Sequence, residues 1–280
     1  MVNLPRNCST MEKIEKKYAI VTGGSSGMGL DYVRQLAGMG YNVIIVALFQ
    51  NETDAVQQDM QKQYPDLDFI SIGIDLSTLE APKTVYDKVC EAIGEDGFVE
   101  VLINNAGLLA PYHFRNMSEK QVSTIIMVHN HATAMLCHYF LPAMLERKKG
   151  YILNISSLAA WLPYPFISTY ASTKAFTKTF TRALRTECKR SGVKVAAIYF
   201  GAVDTPLYKL SPKLRKLARG LGIMISPQKA TRIALKMLFK GRTGRMPGFI
   251  NQFVVFLTPI LRPWFIGVLD RKITSHWNLK

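Results

Sequence analysis

Residues 18–29 read YAIVTGGSSGMG, and this stretch determines the class of fold. Tyr18–Thr22 is an apolar run of strand length, and four glycines follow it within seven residues. Glycine lets the backbone turn tightly and approach a ligand closely, while the N-terminus of a following helix presents free N–H groups to a pyrophosphate. Many glycine-rich turns are only turns, but this one comes directly after the first strand, which favours a nucleotide-binding unit.

Apolar runs of strand length recur along the chain, separated by longer amphipathic segments. The six predicted strands are Tyr18–Thr22, Asn42–Ala47, Phe69–Asp75, Val99–Ile103, Tyr151–Ile155 and Val193–Tyr199. Continuous apolar strands that alternate with helices are typical of a parallel sheet covered on both faces. We predict a single α/β domain over residues 1–280, with its core at about 16–206 and a substrate lid and C-terminal extension at 207–280. Residues 244–247 offer only a stub of a seventh strand.

Three of the predicted helices have clear boundary signals. One runs from the end of the glycine-rich turn over Leu30–Gly40 and ends on a residue type that is common at helix C-termini. Ser118–Gln121 has the form of a capping box, which predicts a helix over Val122–Leu145. A third helix is predicted over Tyr170–Arg190.

Composition and cysteine usage indicate a folded cytoplasmic protein. Of the 280 residues 48% are hydrophobic, which excludes a disordered chain. The four cysteines, at positions 8, 90, 137 and 188, are scattered, and none stands at metal-ligand spacing from another Cys or His. The first residues are polar and lack the apolar stretch of a secretory signal. We therefore expect reduced thiols and no metal site.

The net charge of +15 is concentrated in the last quarter of the chain. Residues 1–206 carry 20 Lys and Arg against 19 Asp and Glu, whereas residues 207–280 carry 15 Lys and Arg against one Asp. This asymmetry indicates an anionic partner surface, either a membrane or a nucleic acid. Few aromatic residues interleave with these charges and no recognition motif is present, so we expect no nucleic acid partner. Peripheral membrane contact through residues 207–280 is the interpretation that the charge favours.

Tyr170 and Lys174 stand four residues apart, which places them on one face of a helix. Reduction of a carbonyl needs a proton donor, and a phenol with its ordinary pKa near ~10 gives up its proton reluctantly at neutral pH. A lysine ammonium about 4 Å away, at an effective dielectric of ~20, stabilises the phenolate by roughly 4 kcal/mol. The pair therefore predicts a proton donor with a pKa near ~7, although the same spacing is common on solvated helices.

Four motifs, in this order and spacing, resemble the short-chain dehydrogenase/reductase family over about residues 16–206. They are Thr22–Gly29, Asn104–Gly107, Asn154–Ser157 and the pair Tyr170 and Lys174. The resemblance implies a Rossmann-type doubly wound sheet, a homodimer or homotetramer, and an NAD(P)-dependent oxidoreductase that interconverts ketones and secondary alcohols. The alternative is a non-catalytic dinucleotide-sensing or scaffold homologue at a membrane surface. The intact catalytic motifs argue against that alternative.

The same resemblance implies roles for four catalytic residues. Tyr170 is expected to be the general acid in reduction and the base in oxidation, while Lys174 lowers its pKa and binds the ribose of the nicotinamide. Ser157, 13 residues before Tyr170, is expected to polarise the carbonyl, with Ser156 as its competitor. Asn130 stands where the family has a helix asparagine that supports a relay water.

Two histidines flank this asparagine. His129 and His131 are not expected to bind a metal, because positions i and i+2 of a helix point to different sides.

Further residues are implied as cofactor contacts. They are Gly23, Ser25, Gly27, Met28 and Gly29 at the phosphates, Asp75 and Leu76 at the adenine, Asn104, Ala106 and Gly107 on the cofactor floor, and Val203 and Thr205 at the carboxamide, together with Tyr170 and Lys174. An acidic residue after the second strand selects NAD, and an arginine there accommodates NADP. Ala47–Gln50 offers neither, and Ser25 is able to donate to a phosphate, so we expect NADP to be preferred over NAD.

The last quarter of the sequence favours a hydrophobic substrate. Leucines at 210, 214, 217 and 221 fall at helical spacing in the expected substrate lid, for which a helix packed on the body is the alternative. Within Met246–Leu269, the longest uncharged run is shorter than the ~20 residues of a membrane-spanning helix. This segment suits a membrane interface or an apolar channel, with a core or subunit-interface helix as the alternative. By analogy, we predict a ketone or alcohol of the 3-keto acyl, sphingoid or steroid type.

Overall fold

A six-stranded parallel sheet forms the centre of the molecule. The computed structural model describes residues 16–161, 166–204 and 224–247, together with residues 252 and 255. The strands are β1 (Lys16–Thr22), β2 (Asn42–Ala47), β3 (Phe69–Gly73), β4 (Gly97–Asn104), β5 (Gly150–Ser157) and β6 (Val193–Phe200). Their order is β3-β2-β1-β4-β5-β6, and each neighbouring pair is parallel. The predicted doubly wound α/β sheet is confirmed.

Helices cover both faces of the sheet. The described helices are α1 (Gly27–Ala37), α2 (Gln50–Gln63), α3 (Ala81–Ile93), α4 (Glu119–Ile126), α5 (Ala132–Glu146), α6 (Ser168–Glu187) and α7 (Pro227–Phe239). On one face, Leu36 of α1 and Leu235 of α7 belong to a buried apolar cluster with the strands. On the other face, Leu136 of α5 and Leu184 of α6 belong to a second cluster. The strands are buried from both sides, which explains their continuous apolar runs.

Several boundaries differ from the predicted ones. β3 ends at Gly73, so Asp75 lies in the turn after the strand. α1 begins and ends three residues before the predicted Leu30–Gly40, because the last part of the glycine-rich stretch is already helical. Gly40 has a φ of 84° and belongs to the turn that leads into β2.

The predicted helix over Val122–Leu145 is helical throughout, and a π-helical segment at Met127–His131 interrupts its α-helical geometry between α4 and α5. π segments are rare and occur frequently at functional sites. The capping box is confirmed: Ser118 Oγ accepts from Gln121 N, and the Gln121 side chain accepts from Ser118 N. The third helix covers Ser168–Glu187 instead of Tyr170–Arg190.

Besides α7, the described residues after β6 form two short strands. β7 (Ala202–Val203) and β8 (Met224–Ile225) form a separate parallel pair. Arg245 pairs with Ile198 in an isolated bridge, in agreement with the predicted stub of a seventh strand. The predicted lid at 207–223 and nearly all of the apolar segment from 248 onward lie outside the described residues. Among the helices that are described, none combines the length and apolarity needed to cross a membrane.

Candidate active site

A cavity of about 460 Å³ opens at the carboxyl ends of β1, β4 and β5. It lies where the strand order reverses between β1 and β4, which is the place where doubly wound sheets bind ligands. The glycine-rich turn forms one end of the cavity, and the inner face of α6 contributes Tyr170 and Lys174 to its wall. The two predicted functional regions therefore share one cavity.

The glycine-rich turn leaves no room for side chains. A Cβ on Gly29 would lie 1.8 Å from the carbonyl oxygen of Gly23, and Gly23 itself has a φ of +67°. Ser26, the N-cap of α1, makes no side-chain hydrogen bond to the first turn. The first N–H groups of α1 thus face a cradle of bare backbone, which is the chemistry that a pyrophosphate requires. This cradle fits the phosphates of a dinucleotide.

Three hydrogen bonds join the glycine-rich turn to the loop after β4. Thr22 Oγ1 accepts from the backbone N–H groups of Asn105 and Ala106, each at 3.0 Å. Asn105 Nδ2 also donates to Thr22 O at 2.9 Å, so Thr22 is the acceptor in all three bonds. These hydrogen bonds hold the phosphate cradle and the predicted cofactor floor together.

All but two of the predicted cofactor residues line the cavity. Those lining it are Gly23, Ser25, Gly27, Met28, Gly29, Asp75, Leu76, Ala106, Gly107, Tyr170, Lys174 and Val203. Asn104 is buried below the cavity, where its Nδ2 donates to Asn154 Oδ1 at 2.8 Å, and the neighbouring Asn105 lines the cavity instead. Thr205 lies outside the described residues.

Burial controls the ionisation of the tyrosine and lysine on α6. Lys174 Nζ donates to Ile155 O at 2.9 Å and lies 5.6 Å from the centre of the Tyr170 ring. Burial lowers the pKa of Lys174 to about 8. Burial raises the pKa of Tyr170 above its usual range, and a hydrogen bond with Ser157 opposes that rise. Burial and Ser157 are the influences that act on the Tyr170 pKa in this structure, and the predicted lowering of that pKa by Lys174 stays a prediction.

Two serines at the end of β5 have different partners. Ser156 is 2% exposed, and its hydroxyl donates to Lys174 O at 2.9 Å. Ser157 Oγ accepts from Ala159 N at 3.1 Å and contacts Phe200 O at 3.4 Å. Of the two serines, Ser157 is the one whose side chain acts on the pKa of Tyr170. The geometry favours Ser157 over Ser156 as the serine that meets a substrate carbonyl.

Asn130 lies in the π segment beside the cavity. Its Oδ1 is buried and has no hydrogen-bond partner within the described ranges. The wall of the cavity next to it is formed by Thr124 and Val128, and Asn130 itself is not part of that wall. A buried acceptor without a partner is the kind of group that an ordered water satisfies.

Comparison with known families identifies the arrangement. The model of the short chain dehydrogenases matches residues 17–214, which is more than half of the chain. This chain belongs to the short-chain dehydrogenase/reductase family. It is accordingly an NAD(P)-dependent oxidoreductase that acts on CH–OH groups.

Relatives within the family share about a quarter of their residues with this chain. A very-long-chain 3-oxoacyl-CoA reductase of Aspergillus terreus is 28% identical over 251 residues, which cover 89% of this chain and 68% of that protein. The inactive hydroxysteroid dehydrogenase-like protein 1 of Pongo abelii is 28% identical over 282 residues, which cover 98% of this chain and 82% of that protein. A solved metagenomic short-chain oxidoreductase in complex with NADP is 28% identical, with a TM-score of 0.61 and coverage of 68% of this chain and 85% of that one.

Glu52 is a cavity residue of this oxidoreductase that the sequence did not reveal. It stands in the first turn of α2, lines the cavity, and accepts a hydrogen bond from Ser25 Oγ at 2.9 Å. The Ser25 hydroxyl is thus directed at a carboxylate in this structure, and its donation to a phosphate stays a prediction. The sequence signal for Glu52 is an acidic residue in the first turn of the helix that follows β2, and not only at the end of the strand.

The two histidines of the π segment have separate environments. His129 is buried against α6 and the loop after β4, whereas His131 Nε2 lies 3.0 Å from Leu79 O near the surface. In the part of the chain that the structure describes, no group of three His, Cys, Asp or Glu side chains is placed to hold a metal ion.

Proposed function

We propose that the protein is a reductase that transfers hydride to a hydrophobic ketone, with NADP preferred over NAD. The observation that carries the proposal is the convergence of Ser157, Tyr170 and Lys174 on the cavity that also contains the phosphate cradle. A bound nicotinamide cofactor would supply the hydride. The NADP-bound relative supports the choice of cofactor.

The chain's own residues handle the carbonyl oxygen and the proton. The hydroxyl of Ser157 is placed to donate to the carbonyl oxygen of a substrate, because it lines the same cavity as Tyr170 and lowers the pKa of that phenol. The Tyr170 O–H then gives its proton to the oxygen as negative charge develops there. The Lys174 ammonium stabilises the phenolate that this transfer leaves. A water held at Asn130 Oδ1 is the proposed route by which the proton is replaced.

The protonated phenol of Tyr170 is the form that reduction requires. A general acid must carry its proton, and burial keeps the phenol protonated throughout the neutral range. Oxidation needs the phenolate, which is scarce at neutral pH. The names of the 3-oxoacyl-CoA reductase relatives agree with this direction.

An apolar substrate is supported by the loop that follows the cofactor floor. Tyr112 and Phe114 are 45% and 62% exposed, which is unusual for aromatic side chains. Tyr112 N donates to Phe166 O at 3.0 Å, so the loop lies beside the start of α6 and close to Tyr170. Exposed aromatic groups at the approach to a catalytic tyrosine suit a long acyl or steroid-like substrate. We propose a long-chain 3-oxoacyl thioester as the first compound to test, with sphingoid and steroid ketones next.

Peripheral membrane contact is supported by α7. Lys229, Arg232 and Lys236 of α7 and Lys240 at its C-cap are exposed, at spacings that place them on one side of the helix. A row of cations attracts anionic lipid headgroups by about 1 kcal/mol per residue near the membrane surface. We propose a cytoplasmic homodimer or homotetramer that binds such membranes peripherally.

Sedimentation with vesicles tests the membrane contact. Replacement of the four α7 cations by Gln is expected to release the protein from phosphatidylserine vesicles. The matched control replaces four exposed lysines elsewhere, at positions 62, 88, 120 and 189, and so removes the same net charge. Equal release by both variants would reject α7 as the contact surface, and retention on DNA at physiological salt would favour a nucleic acid instead.

Turnover of the named ketones with NADPH and NADH tests the catalytic proposal. Tyr170→Phe is expected to lower kcat by at least about a thousandfold and to leave cofactor affinity nearly unchanged, since it removes only the proton donor. Tyr86→Phe is the matched control, because Tyr86 packs against Tyr139 and Phe140 on α5, away from the cavity. Wild-type turnover in Tyr170→Phe would reject the mechanism. Cofactor binding without turnover of any ketone by the wild type would favour the non-catalytic alternative that one relative's name describes.

A further inference from the structure

His129 joins the cofactor floor to the helix that carries Tyr170. Its ring is 2% exposed, and its Nε2 accepts a hydrogen bond from Leu108 N at 3.0 Å. Its Nδ1 lies 2.8 Å from Thr173 Oγ1. A neutral imidazole that accepts at Nε2 carries its proton at Nδ1, so Nδ1 donates to Thr173. The Thr173 hydroxyl in turn donates to the backbone carbonyl oxygen of Tyr170 at 2.8 Å. A continuous chain of hydrogen bonds therefore runs from Leu108 to the backbone of Tyr170.

The surroundings of His129 keep it in the form that this chain needs. Burial, together with the positive charge of Lys174, holds the pKa of His129 well below its usual range. The ring is therefore neutral at physiological pH, with one donor and one acceptor. A protonated ring has two donors and no acceptor, and it would leave the Leu108 N–H without a partner.

The imidazole also fills the space between the two sides that it connects. The Tyr170 ring meets it edge-on, with the ring centres 5.6 Å apart. A Cβ added to Gly107 would lie 3.0 Å from His129 Nε2, so the floor residue is in close contact with the imidazole. Neither Gly107 nor Tyr170 can move toward the other while this ring is present.

We propose that His129 is a positioning residue that sets the separation between the cofactor floor at Gly107 and Leu108 and the phenol of Tyr170. The inference rests on the proposed function, since the placement of Tyr170 matters only if Tyr170 donates the proton. Proton transfer requires the donor within hydrogen-bond reach of the acceptor. Misplacement by about 1 Å is able to cost about a hundredfold in rate, so a small shift in this separation has a large effect on kcat.

Two substitutions separate the hydrogen bonds of His129 from its bulk. His129→Phe keeps a ring of similar size but has neither the donor nor the acceptor, whereas His129→Gln has one of each. We expect His129→Phe to lower kcat by at least about tenfold, with the Kd for NADPH within about threefold of the wild type. His129→Gln should recover most of that loss. His131→Phe and His131→Gln are the matched controls in the same π segment and should leave kcat within about threefold of the wild type.

The measurements are kcat for ketone reduction, the Kd for NADPH from its fluorescence, and thermal unfolding of each variant. A wild-type kcat in His129→Phe overturns the proposal. Equal losses of kcat, NADPH affinity and stability in both His129 variants also overturn it, because they indicate a role in folding alone. If His129→Phe does not fold, Thr173→Val breaks the same chain at the hydroxyl and Thr173→Ser restores it. The same pattern of loss and recovery is then expected, and its absence overturns the proposal.

Failure of this inference is distinguishable from failure of the proposed function. A fully active Tyr170→Phe rejects the function and the inference together. An inactive Tyr170→Phe beside a fully active His129→Phe rejects only the positioning role.

Discussion

The two ends of the cavity are built by different means. At the phosphate end, the backbone itself forms the cradle, and Gly23 and Gly29 approach so closely that no side chain fits between them. At the catalytic end, buried polar side chains such as Lys174, His129 and Ser156 hold the site through hydrogen bonds between distant segments. The phosphate end is formed by one short stretch of sequence, whereas the catalytic end forms only when distant segments of the chain pack together.

Gly29→Ala should have the largest effect at the phosphate end. The new Cβ would lie 1.8 Å from Gly23 O, and a backbone oxygen cannot move aside as a flexible side chain can. The turn must therefore open, and we expect cofactor affinity to fall more than about a hundredfold, as for severe overpacking. Gly38→Ala is the control, since its Cβ would come no closer than 3.4 Å to a neighbouring atom. Fluorescence titration with NADPH measures both, and similar affinities would show that the turn tolerates side chains.

Asn154→Ala should weaken the catalytic end through stability. Asn154 is fully buried, accepts from Asn104 Nδ2 at 2.8 Å and donates to Thr181 Oγ1 at 2.9 Å. Its removal leaves these buried groups without partners, so we expect the free energy of unfolding to fall by about 2–3 kcal/mol. Asn116→Ala, at an exposed position, should change it by less than about 0.5 kcal/mol. Urea denaturation measures the difference, and equal effects would mean that the buried network contributes little.

The same difference explains what the sequence was able to predict. The sheet, its helices and the cavity follow from apolar runs and glycine spacing, because strand burial and backbone clearance restrict residue types locally. The motifs place Tyr170, Lys174 and Ser157 correctly in the cavity wall.

What the sequence did not predict depends on tertiary contacts. The π segment replaces part of one long predicted helix, and His129 meets Leu108 and Thr173 only through the packing of three separate segments. The burial that raises the Tyr170 pKa depends on packing around the phenol, which helical spacing does not show. Asn104 and Asn105 are adjacent in sequence, and only the strand's pleat decides which of them lines the cavity.

The pH dependence of both reaction directions tests whether burial or Lys174 sets the Tyr170 pKa. Reduction needs the protonated phenol, so kcat/KM for the ketone should stay flat from pH 6 to pH 8 if burial raises the pKa. Oxidation needs the phenolate, so kcat/KM for the alcohol should rise about tenfold per pH unit over that range. The rise should weaken above the Lys174 pKa of about 8, where the stabilising cation is lost. If kcat/KM for reduction instead falls as the pH rises, with an apparent pKa near ~7, then Lys174 lowers the Tyr170 pKa as the spacing of the two residues predicts.

Glu52→Gln should have the smallest effect on cofactor affinity. It changes a side chain at the phosphate end of the cavity, which is otherwise formed by backbone. Glu52 accepts from Ser25 Oγ at 2.9 Å and lines the cavity, where its carboxylate would repel the extra phosphate of a bound NADP. Gln keeps an acceptor for Ser25 and removes the charge, so the Kd for NADPH should fall by about three- to tenfold while that for NADH changes little. The effect is modest because Glu52 is exposed and screened by salt.

Paired titrations with NADPH and NADH separate this local effect from a general change in charge. Asp59→Asn, on an exposed part of the same helix, is the matched control and should leave both affinities unchanged. Equal tightening of both cofactors by Glu52→Gln would mean that the carboxylate acts on the shared pyrophosphate. Tighter binding of NADPH alone would mean that the Glu52 side chain affects the choice between NADP and NAD. The wild-type carboxylate would then weaken the preference for NADP.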